Sequence, residues 1–266
     1  MISFDYSLLQ PRYGASNGTM GGNPITALHV AEANQDKSIA ATARRPEIAR
    51  EVAAFRAAVA RAPDVETLLK DPRALKVLLT ANGLGDQTQY PALAQRALTS
   101  DPADPRSLAN RLGDRRWVAA AETYAFSSGG LSVLRKPEVL DRIADGYAEI
   151  AWRRSLDETT PGLSDALTFR EQARSIGSAT EILGNSVLRR VVTTALGLPP
   201  QIAFQSLETQ AQAVTSRLDL SRLKDKDFVD KFTQRYLLAS ASANDSTSGS
   251  ATDLFTLVGR ARGLVV

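Results

Sequence analysis

The segment FRAAVARAPDVETLLKDPRALKVLLTANGL, residues 55–84, decides how this chain is organised, because residues 169–198 repeat its pattern at one fixed offset without a gap. The shared residues are Phe55 and Phe169, Arg56 and Arg170, Leu69 and Leu183, Val77 and Val191, Thr80 and Thr194, Ala81 and Ala195, Gly83 and Gly197, and Leu84 and Leu198. Self-similarity at a fixed spacing indicates an internal repeat. The sequence therefore predicts two related halves.

A second pair of segments agrees with the first pair. Their offset is shorter by three residues, as a small deletion in a loop between them would leave. The matching residues are Arg111-Leu112, Asp114 and Trp117-Val118 in the first half, and Arg222-Leu223, Asp225 and Phe228-Val229 in the second. We interpret both pairs as traces of one duplication.

Both halves carry the local signals of helix ends. An apolar stripe with spacings of three and four begins near Pro46, and proline is favoured in the first turn of a helix. Asp64 and Asp71 stand where N-caps are expected, and Gly83 and Gly197 stand where a left-handed residue ends a helix. No run of five or more residues alternates apolar with polar between turn signals, so we expect no strand. The predicted fold class is all-α, a helical bundle of two related halves with mobile termini.

The periodicity also places the helical units. The strongest pattern, from Pro137 to Ser155, predicts a long helix. We expect a first helical unit over residues 45–130, and the long helix with a second, related unit over residues 137–240. Other helices are expected at residues 87–98, 107–112, 114–126, 163–175, 178–183, 186–196, 200–205, 207–217 and 226–238, and residues 127–130 are expected to break the chain.

The two ends of the chain differ in composition from the middle. Residues 1–36 are polar and rich in glycine, which predicts a mobile N-terminal arm, and the residues from Thr26 to Ala33 can form a short turn of helix. The composition from Ala239 to Asp253 predicts a flexible linker, so residues 241–266 form a linker and an apolar C-terminal tag. The candidate partner-binding residues are Leu254, Phe255, Leu257 and Val258. This tag docks either on a partner or on the bundle of its own chain.

Composition bounds the class of protein. The chain has 266 residues, of which 43% are hydrophobic and 23% charged, as in soluble globular proteins. The net charge is only +3, and the predominance of arginine among the basic residues fits either phosphate binding or a coding bias spread over solvated helices. Cysteine is absent, which excludes disulfides and thiolate sites. We expect a soluble protein, because the first residues lack the pattern of a cleavable signal and no window is apolar enough to span a membrane.

The sequence shows no constellation of catalytic or cofactor-binding residues. The single histidine, His29, has no cysteine or nucleophile nearby, so we expect neither a zinc site nor acyl transfer. No phosphate loop, nucleophile elbow or Glu-x-x-His pair occurs. The cluster Asp225, Asp227 and Asp230 lacks the glycine and glutamate of a calcium loop, and Asp225 fits a helix start. We therefore predict that the protein is not an enzyme and has no catalytic, cofactor-binding or metal-binding residues.

The arginines that recur in both halves have a structural interpretation. A residue kept in both copies of a repeat belongs more simply to the shared fold than to a site, which applies to Arg56 with Arg170 and to Arg111 with Arg222. Adjacent arginines such as Arg44-Arg45 point about 100° apart on a helix, and acidic residues are interspersed among them. We expect no nucleic-acid partner.

The duplicated units carry a resemblance to a known family. The residues concerned are Val65-Glu66-Thr67-Leu68-Leu69, Asp71-Pro72, the run from Val77 to Leu84, Arg111-Leu112-Gly113-Asp114 and the run from Trp117 to Phe126. Over about residues 45–240, the chain resembles a family of uncharacterised bacterial proteins, a domain of unknown function found in flagellar gene clusters. The resemblance implies a flagellum-associated, non-enzymatic protein, and the second half departs from the motif with Gly184-Asn185-Ser186.

Two functions are therefore expected. The first is a structural or assembly-accessory protein of the bacterial flagellum that binds a protein partner, such as a flagellar component, through its terminal segments or a groove between its halves. It would lie in the cytoplasm or in the flagellum, reached by export without a cleavable signal. The alternative is a cytoplasmic, regulatory or chaperone-like helical protein unconnected with flagella.

Overall fold

A computed structural model describes the backbone of residues 22–261 and the side chains of residues 22–243. Within these residues every regular element is helical and no β-strand occurs, so the all-α prediction is confirmed. The first ten α-helices are α1 Pro24–Ala33, α2 Gln35–Ala43, α3 Pro46–Arg61, α4 Val65–Lys70, α5 Pro72–Ala81, α6 Pro91–Leu98, α7 Leu108–Arg111, α8 Arg115–Tyr124, α9 Phe126–Gly129 and α10 Pro137–Leu156. They are followed by α11 Leu163–Gln172, α12 Ala179–Gly184, α13 Ser186–Ala195, α14 Leu207–Thr215 and α15 Lys226–Ala261. Short 3₁₀ turns lie at Gly85–Gln89, Ala173–Ser175, Pro200–Phe204 and Leu220–Lys224.

The buried apolar residues form two cores. The first is built by α3 to α9 and the N-terminal part of α10, with Phe55, Trp117 and Tyr147 among its large side chains. The second is built by α1, the C-terminal part of α10 and α11 to α15, and it contains Trp152 and Phe169. The long helix α10 therefore contributes to both cores, whereas the sequence pattern assigns it to the second unit.

Helices in the two halves begin at side chains in matching positions. Asp64 and Ser178 each accept a hydrogen bond from the backbone N–H three residues on, at 2.7 and 3.2 Å. Asp71 and Asn185 each accept two, from the N–H groups two and three residues on. Each such cap satisfies backbone N–H groups that have no partner inside the helix and stabilises it by about 1 kcal/mol. The predicted caps at Asp64 and Asp71 are confirmed.

The helices α5 and α13 also end in the same way. Gly83 and Gly197 have φ values of 70° and 63°, in the left-handed region that favours glycine. The N–H groups of Leu84 and Leu198 each donate to the carbonyl oxygen five residues back, at 2.8 and 2.9 Å. This arrangement satisfies carbonyl groups at the end of the helix. The predicted helix-ending role of both glycines is confirmed.

One ion pair recurs in both halves with different residues. Glu51 on α3 pairs with Lys76 on α5 at 3.2 Å. At the fixed offset of the repeat, Asp165 on α11 pairs with Arg190 on α13. In the second pair, Asp165 Oδ2 also accepts a hydrogen bond of 3.1 Å from the Tyr236 hydroxyl of α15. The two halves therefore join their corresponding helices by the same charge pattern.

The N-terminal residues differ from the expected mobile arm. Asn23 accepts a hydrogen bond from Ile25 N, and Pro24 begins α1, so residues 24–33 form a helix. Leu28 is fully buried and Ala31 is 7% exposed in the second core. The prediction of a mobile arm is therefore wrong for residues 24–36, because a short apolar face on α1 packs against α11 and α15. Residues 1–21 lie outside the described part of the chain.

The expected linker also differs. The backbone of α15 continues from Lys226 through Ala261, so residues 239–253 are helical. The stretch is rich in alanine and contains no proline and a single glycine, Gly249, so little in it interrupts a helix. Leu254, Phe255, Leu257 and Val258 fall in this helix, but their side chains lie outside the described part. Their partner-binding role stays a prediction.

Two boundaries shift for local reasons. The helix expected over residues 87–98 begins at Pro91, because residues 85–89 form a 3₁₀ turn. The helix expected to reach Phe126 ends at Tyr124, because Ala125 is left-handed with a φ of 47°; Phe126–Gly129 then form the short helix α9, and the expected break follows at Gly130, whose φ is 56°.

Candidate functional site

The residues with obvious chemistry have structural partners. His29 lies on α1 with its side chain 58% exposed, 3.8 Å from Glu32. No group of three histidine, cysteine, aspartate or glutamate side chains in the described residues could hold a metal ion. No helix among those residues is both long enough and apolar enough to cross a bilayer.

The acidic cluster at the start of α15 divides into separate roles. Asp225 accepts a hydrogen bond from the N–H of Asp227 at 2.9 Å, so it caps the helix as predicted. Its repeat counterpart Asp114 accepts from the N–H two residues on at 3.0 Å. Asp230 instead pairs with Arg170 at 2.7 Å. These carboxylates therefore start and brace helices.

The recurring arginines brace helices too. Arg56 on α3 pairs with Asp141 on α10 at 2.7 Å. Its counterpart Arg170 on α11 pairs with Glu32 on α1 at 2.8 Å. In each half the arginine joins the repeated helix to the helix that covers it, which agrees with the structural interpretation of this pair. In the other pair, Arg222 lies 4.3 Å above the ring of Phe228, a cation–π contact.

A polar groove of about 230 Å³ lies between the two halves. At its centre is Arg153 of α10, whose side chain is only 5% exposed. It donates to Thr168 Oγ1 at 3.1 Å and Glu171 Oε2 at 2.7 Å, and it also donates to Glu149. Its Nε has no hydrogen-bond partner. A guanidinium has five N–H groups, and only one of them lies on Nε. The other four lie on the nitrogens that bind Thr168, Glu171 and Glu149, so Arg153 directs most of its hydrogen-bond donors to the protein itself.

The wall of the groove nearer the first half is also internally paired. Arg116 donates to both carboxylate oxygens of Asp114, with distances of 2.6 to 3.0 Å, and to the carbonyl oxygen of Gly83. The halves meet beside it, since a Cβ on Gly184 would lie 2.6 Å from the carbonyl oxygen of Gly113. The charged side chains that line the groove bind one another. They therefore connect the two halves and leave few groups to bind a ligand.

Three groups whose pKa values are raised lie in one cluster between α10, α11, α13 and α15. Burial raises the pKa of the Asp157 carboxyl, and the neighbouring Asp165 carboxylate adds to the rise against a 2.9 Å hydrogen bond from Ser164 N. Burial, with the Asp165 charge, also raises the pKa of the Tyr236 hydroxyl. The hydrogen bonds that Arg190 donates to Asp165 raise the pKa of the Arg190 guanidinium. These shifts follow from helix packing.

The most exposed large apolar side chain in the described part belongs to Phe204, with 88% of its surface exposed. Ile202 of the same 3₁₀ turn packs against the second core, which leaves Phe204 on the opposite side of the turn. Leu207, at the start of α14, is 50% exposed. Glu208 is the single charged residue in residues 191–216, where about six would follow from the chain's 23%. We call Phe204, Leu207 and the exposed residues of this charge-poor segment the Phe204 surface.

The first half has a counterpart. At the fixed offset of the repeat, Tyr90 matches Phe204, and it is 54% exposed. Tyr90 lies between the 3₁₀ turn Gly85–Gln89 and α6, and Phe204 is the last residue of the turn Pro200–Phe204, two residues before the N-cap of α14. Residues 77–100 contain only two charged residues, Asp86 and Arg96. We call Tyr90 and this segment the Tyr90 surface.

The sequence pattern does not distinguish Tyr90 or Phe204 as candidate site residues. Their exposure is a property of the fold, because the pattern alone does not separate an aromatic residue that faces the core from one that faces water. A signal was nevertheless present, since both charge-poor segments occupy corresponding places in the repeat. Phe204 and Tyr90, rather than the groove, are the candidate site in the described part of the chain.

Comparison with known proteins places the chain without giving it an activity. A family described as "Protein of unknown function (DUF1217)" matches residues 81–229, more than half of the chain. No curated protein matches the sequence. The fold is similar to the crystal structure of protein AGR_C_984 from Agrobacterium tumefaciens, with a TM-score of 0.67 and 22% sequence identity. That similarity covers 84% of this chain and 96% of the other. It supports the fold alone.

Proposed function

We propose that this chain, which belongs to the DUF1217 family of proteins of unknown function, is a non-enzymatic structural or assembly-accessory protein of the bacterial flagellum. It acts through contacts with another protein.

The observation that carries the proposal is the exposure of Phe204 and Leu207 in a segment, residues 191–216, whose single charged residue is Glu208. Keeping a phenylalanine in water instead of burying it forgoes about 1.5–3 kcal/mol. The centres of protein interfaces are depleted of charged residues and enriched in aromatic ones. A surface of this composition suits a protein partner better than a nucleic acid or a polar metabolite.

The non-enzymatic part of the proposal is supported by where the shifted acidities lie. The raised pKa values of the Asp157 carboxyl and the Tyr236 hydroxyl follow from burial and the Asp165 charge, and that of the Arg190 guanidinium follows from its hydrogen bonds to Asp165, so all three arise from the packing of the protein's own helices. Titratable groups of an active site are instead expected to converge on a cleft that holds the substrate.

The flagellar part rests on the resemblance of the duplicated units to the family found in flagellar gene clusters. The protein-binding part does not depend on it. A regulatory or chaperone-like protein unconnected with flagella would use the Phe204 surface equally well and is the alternative.

The test is a clean deletion of the gene in its own host, examined by swimming in soft agar and by electron microscopy of the cells. We expect swimming to be lost and the intact gene to restore it. The micrographs would separate a defect of assembly from a defect of rotation. Normal swimming with normal filaments would contradict the flagellar role and favour the alternative.

A further inference from the structure

A second groove, of about 370 Å³, lies between α3 and α5 in the first half. Each helix supplies three of the lining residues, which are Arg50, Glu51 and Ala54 of α3 and Arg73, Lys76 and Val77 of α5. Three of these side chains are positively charged and one is negatively charged, so the lining carries a net positive charge. We call it the Arg73 groove.

Two of its positive charges have no acidic partner. Lys76 pairs with Glu51 at 3.2 Å. Arg50 donates from Nε to the carbonyl oxygen of Pro46 at 3.1 Å, and its two terminal nitrogens have no partner among the described residues. The Arg73 side chain makes no hydrogen bond or ion pair with those residues either. Both arginines are exposed, so two guanidinium groups are available to a carboxylate from outside the chain.

The fold does not account for the charge of Arg73. This residue lies in the first turn of α5, where the helix dipole disfavours a positive charge. Arg50 and Lys76 line the same groove, and their charges repel that of Arg73. A residue that opposes local stability in this way is expected where a protein binds something.

The second half lacks the two unpaired charges. At the fixed offset of the repeat, Arg50 corresponds to Ser164 and Arg73 to Val187, which are both uncharged. The ion pair between the two helices is present in both halves, so it belongs to the shared fold. The additional arginines occur in the first half alone and serve a purpose specific to that half.

The corresponding place in the second half is also covered by other helices. Tyr236 of α15 donates to Asp165 at 3.1 Å. Thr168, the counterpart of Ala54, accepts a hydrogen bond of 3.1 Å from Arg153 of α10. The repeat therefore provides a helix pair that is closed in one half and accessible in the other.

We infer that the Arg73 groove binds an acidic segment of a partner protein, whose carboxylates pair with Arg50 and Arg73 while a small apolar side chain of the segment lies against Ala54. This inference rests on the proposed function, because it takes the ligand to be part of a protein.

The charges in and around the groove favour this ligand over other anions. Glu51 lies in the same lining and repels a doubly charged phosphate more strongly than it repels a single carboxylate. Nucleic acids and anionic membranes need a wider basic surface, whereas in this chain 29 acidic residues accompany 32 basic ones. Two arginines beside a small apolar patch match the discrete carboxylates and side chains of a peptide segment.

The test is photo-cross-linking of the full chain in its host. Ala57→p-benzoylphenylalanine places the cross-linker on α3, one turn beyond Ala54, at an exposed position that leaves the groove itself unfilled. Mass spectrometry identifies the cross-linked segment. We expect a segment of another protein that carries at least two acidic residues close to the cross-linked one.

Charge reversal then tests the arginines. Arg73→Glu is added to the cross-linking chain, and the matched control is Arg217→Glu, an exposed arginine of the second half that has no acidic partner among the described residues. We expect Arg73→Glu to lower the cross-link yield by about tenfold or more, because repulsion replaces attraction, and the control to leave it unchanged. Arg73→Glu should not lower the melting temperature, since a negative charge is favoured in the first turn of a helix. Changing the identified acidic residue of the partner to lysine should restore the yield.

Inorganic phosphate is the probe for the competing kind of ligand. The purified chain is titrated with sodium phosphate while the Nε–H signals of Arg50 and Arg73 are followed by nuclear magnetic resonance. We expect no saturable change in either signal. Saturable binding that Arg73→Glu abolishes would assign the groove to a phosphate and overturn the inference.

Other results would overturn it as well. They are a cross-linked segment without acidic residues, cross-links only between copies of this chain, no cross-link, or a yield that Arg73→Glu leaves unchanged. Failure of the proposed function looks different. If the deletion strain swims normally, the flagellar role is wrong whatever the groove binds, whereas loss of swimming without an acidic cross-linked segment contradicts only the inference.

Discussion

Single residues decide where the helices of this protein begin and end. Caps and left-handed glycines act within one turn of the chain, so the sequence alone identifies Asp64, Asp71, Gly83 and Gly197. Each acts on groups no more than five residues away. Interactions of this range can be predicted from sequence with few assumptions about the fold.

Replacement of Gly197 tests the left-handed helix end. A Cβ at this position would meet nothing within 4 Å, so Gly197→Ala adds backbone strain without a clash. We expect it to lower the free energy of unfolding by about 1–2 kcal/mol. The control is Gly177→Ala, because Gly177 is outside the left-handed region and a Cβ there makes only ordinary contacts of 3.7 Å. Equal effects of the two variants on urea unfolding would refute the role of the left-handed conformation.

Asp157 should make the stability depend on pH. Because its pKa is raised in the folded protein, its ionisation opposes folding when the pH exceeds the ordinary value of 3.8. Asp157→Asn keeps an oxygen that can accept the bond from Ser164 N and removes the charge. We expect the variant to be more stable than the original protein at pH 7. The gain should disappear as the pH falls below 3.8.

Urea unfolding at a series of pH values would measure this difference. A variant that is less stable than the original protein at pH 7 would show that the Asp157 charge contributes to folding through a contact that outweighs its burial.

At the scale of the helices, packing overrides composition. The glycine-rich composition before residue 37 suggests an arm, yet Leu28 of α1 is fully buried in the second core. Its neighbours on α11 and α15 lie more than 130 residues away along the chain, so no local pattern reveals the contact. Propensity is a weak guide wherever tertiary contacts of this kind form.

Truncation of Leu28 tests whether α1 is part of the fold. Leu28→Ala removes a fully buried side chain, which costs about 2–5 kcal/mol in a packed core. Val30→Ala on the same helix is the matched control, because Val30 is 56% exposed and should cost about 0.5 kcal/mol or less. Thermal or urea unfolding would compare them. If both variants are as stable as the original protein, α1 does not anchor the second core.

The ion pairs between helices show a further limit of the sequence. Glu51 with Lys76 and Asp165 with Arg190 hold corresponding helices at the fixed offset, but no residue of the first pair is identical to its counterpart. A search for identities misses them, although the order of the charges is the same. The pattern becomes visible only in the folded protein, where α3 packs against α5 and α11 packs against α13.

At the scale of the whole molecule, the all-helical class follows from periodicity, whereas the candidate site does not. Phe204 falls within residues 200–205, which the sequence assigns to a helix, but whether its ring faces the core or the solvent depends on the packing of Ile202. The sequence instead directs attention to the C-terminal tag. The predicted role of the C-terminal tag and the proposed role of the Phe204 surface are independent, since removing one of these parts of the protein leaves the other in place.

Complementation of the deletion strain with Phe204→Asp tests whether swimming requires the Phe204 surface. Swimming in soft agar would be compared for the original gene, Phe204→Asp and Leu238→Asp, at equal protein levels and melting temperatures. Phe204 and Leu238 are both exposed apolar residues, so each variant should fold. We expect that Leu238→Asp restores swimming and that Phe204→Asp does not. Full swimming with Phe204→Asp would contradict the claim that this protein works by docking a partner on the Phe204 surface.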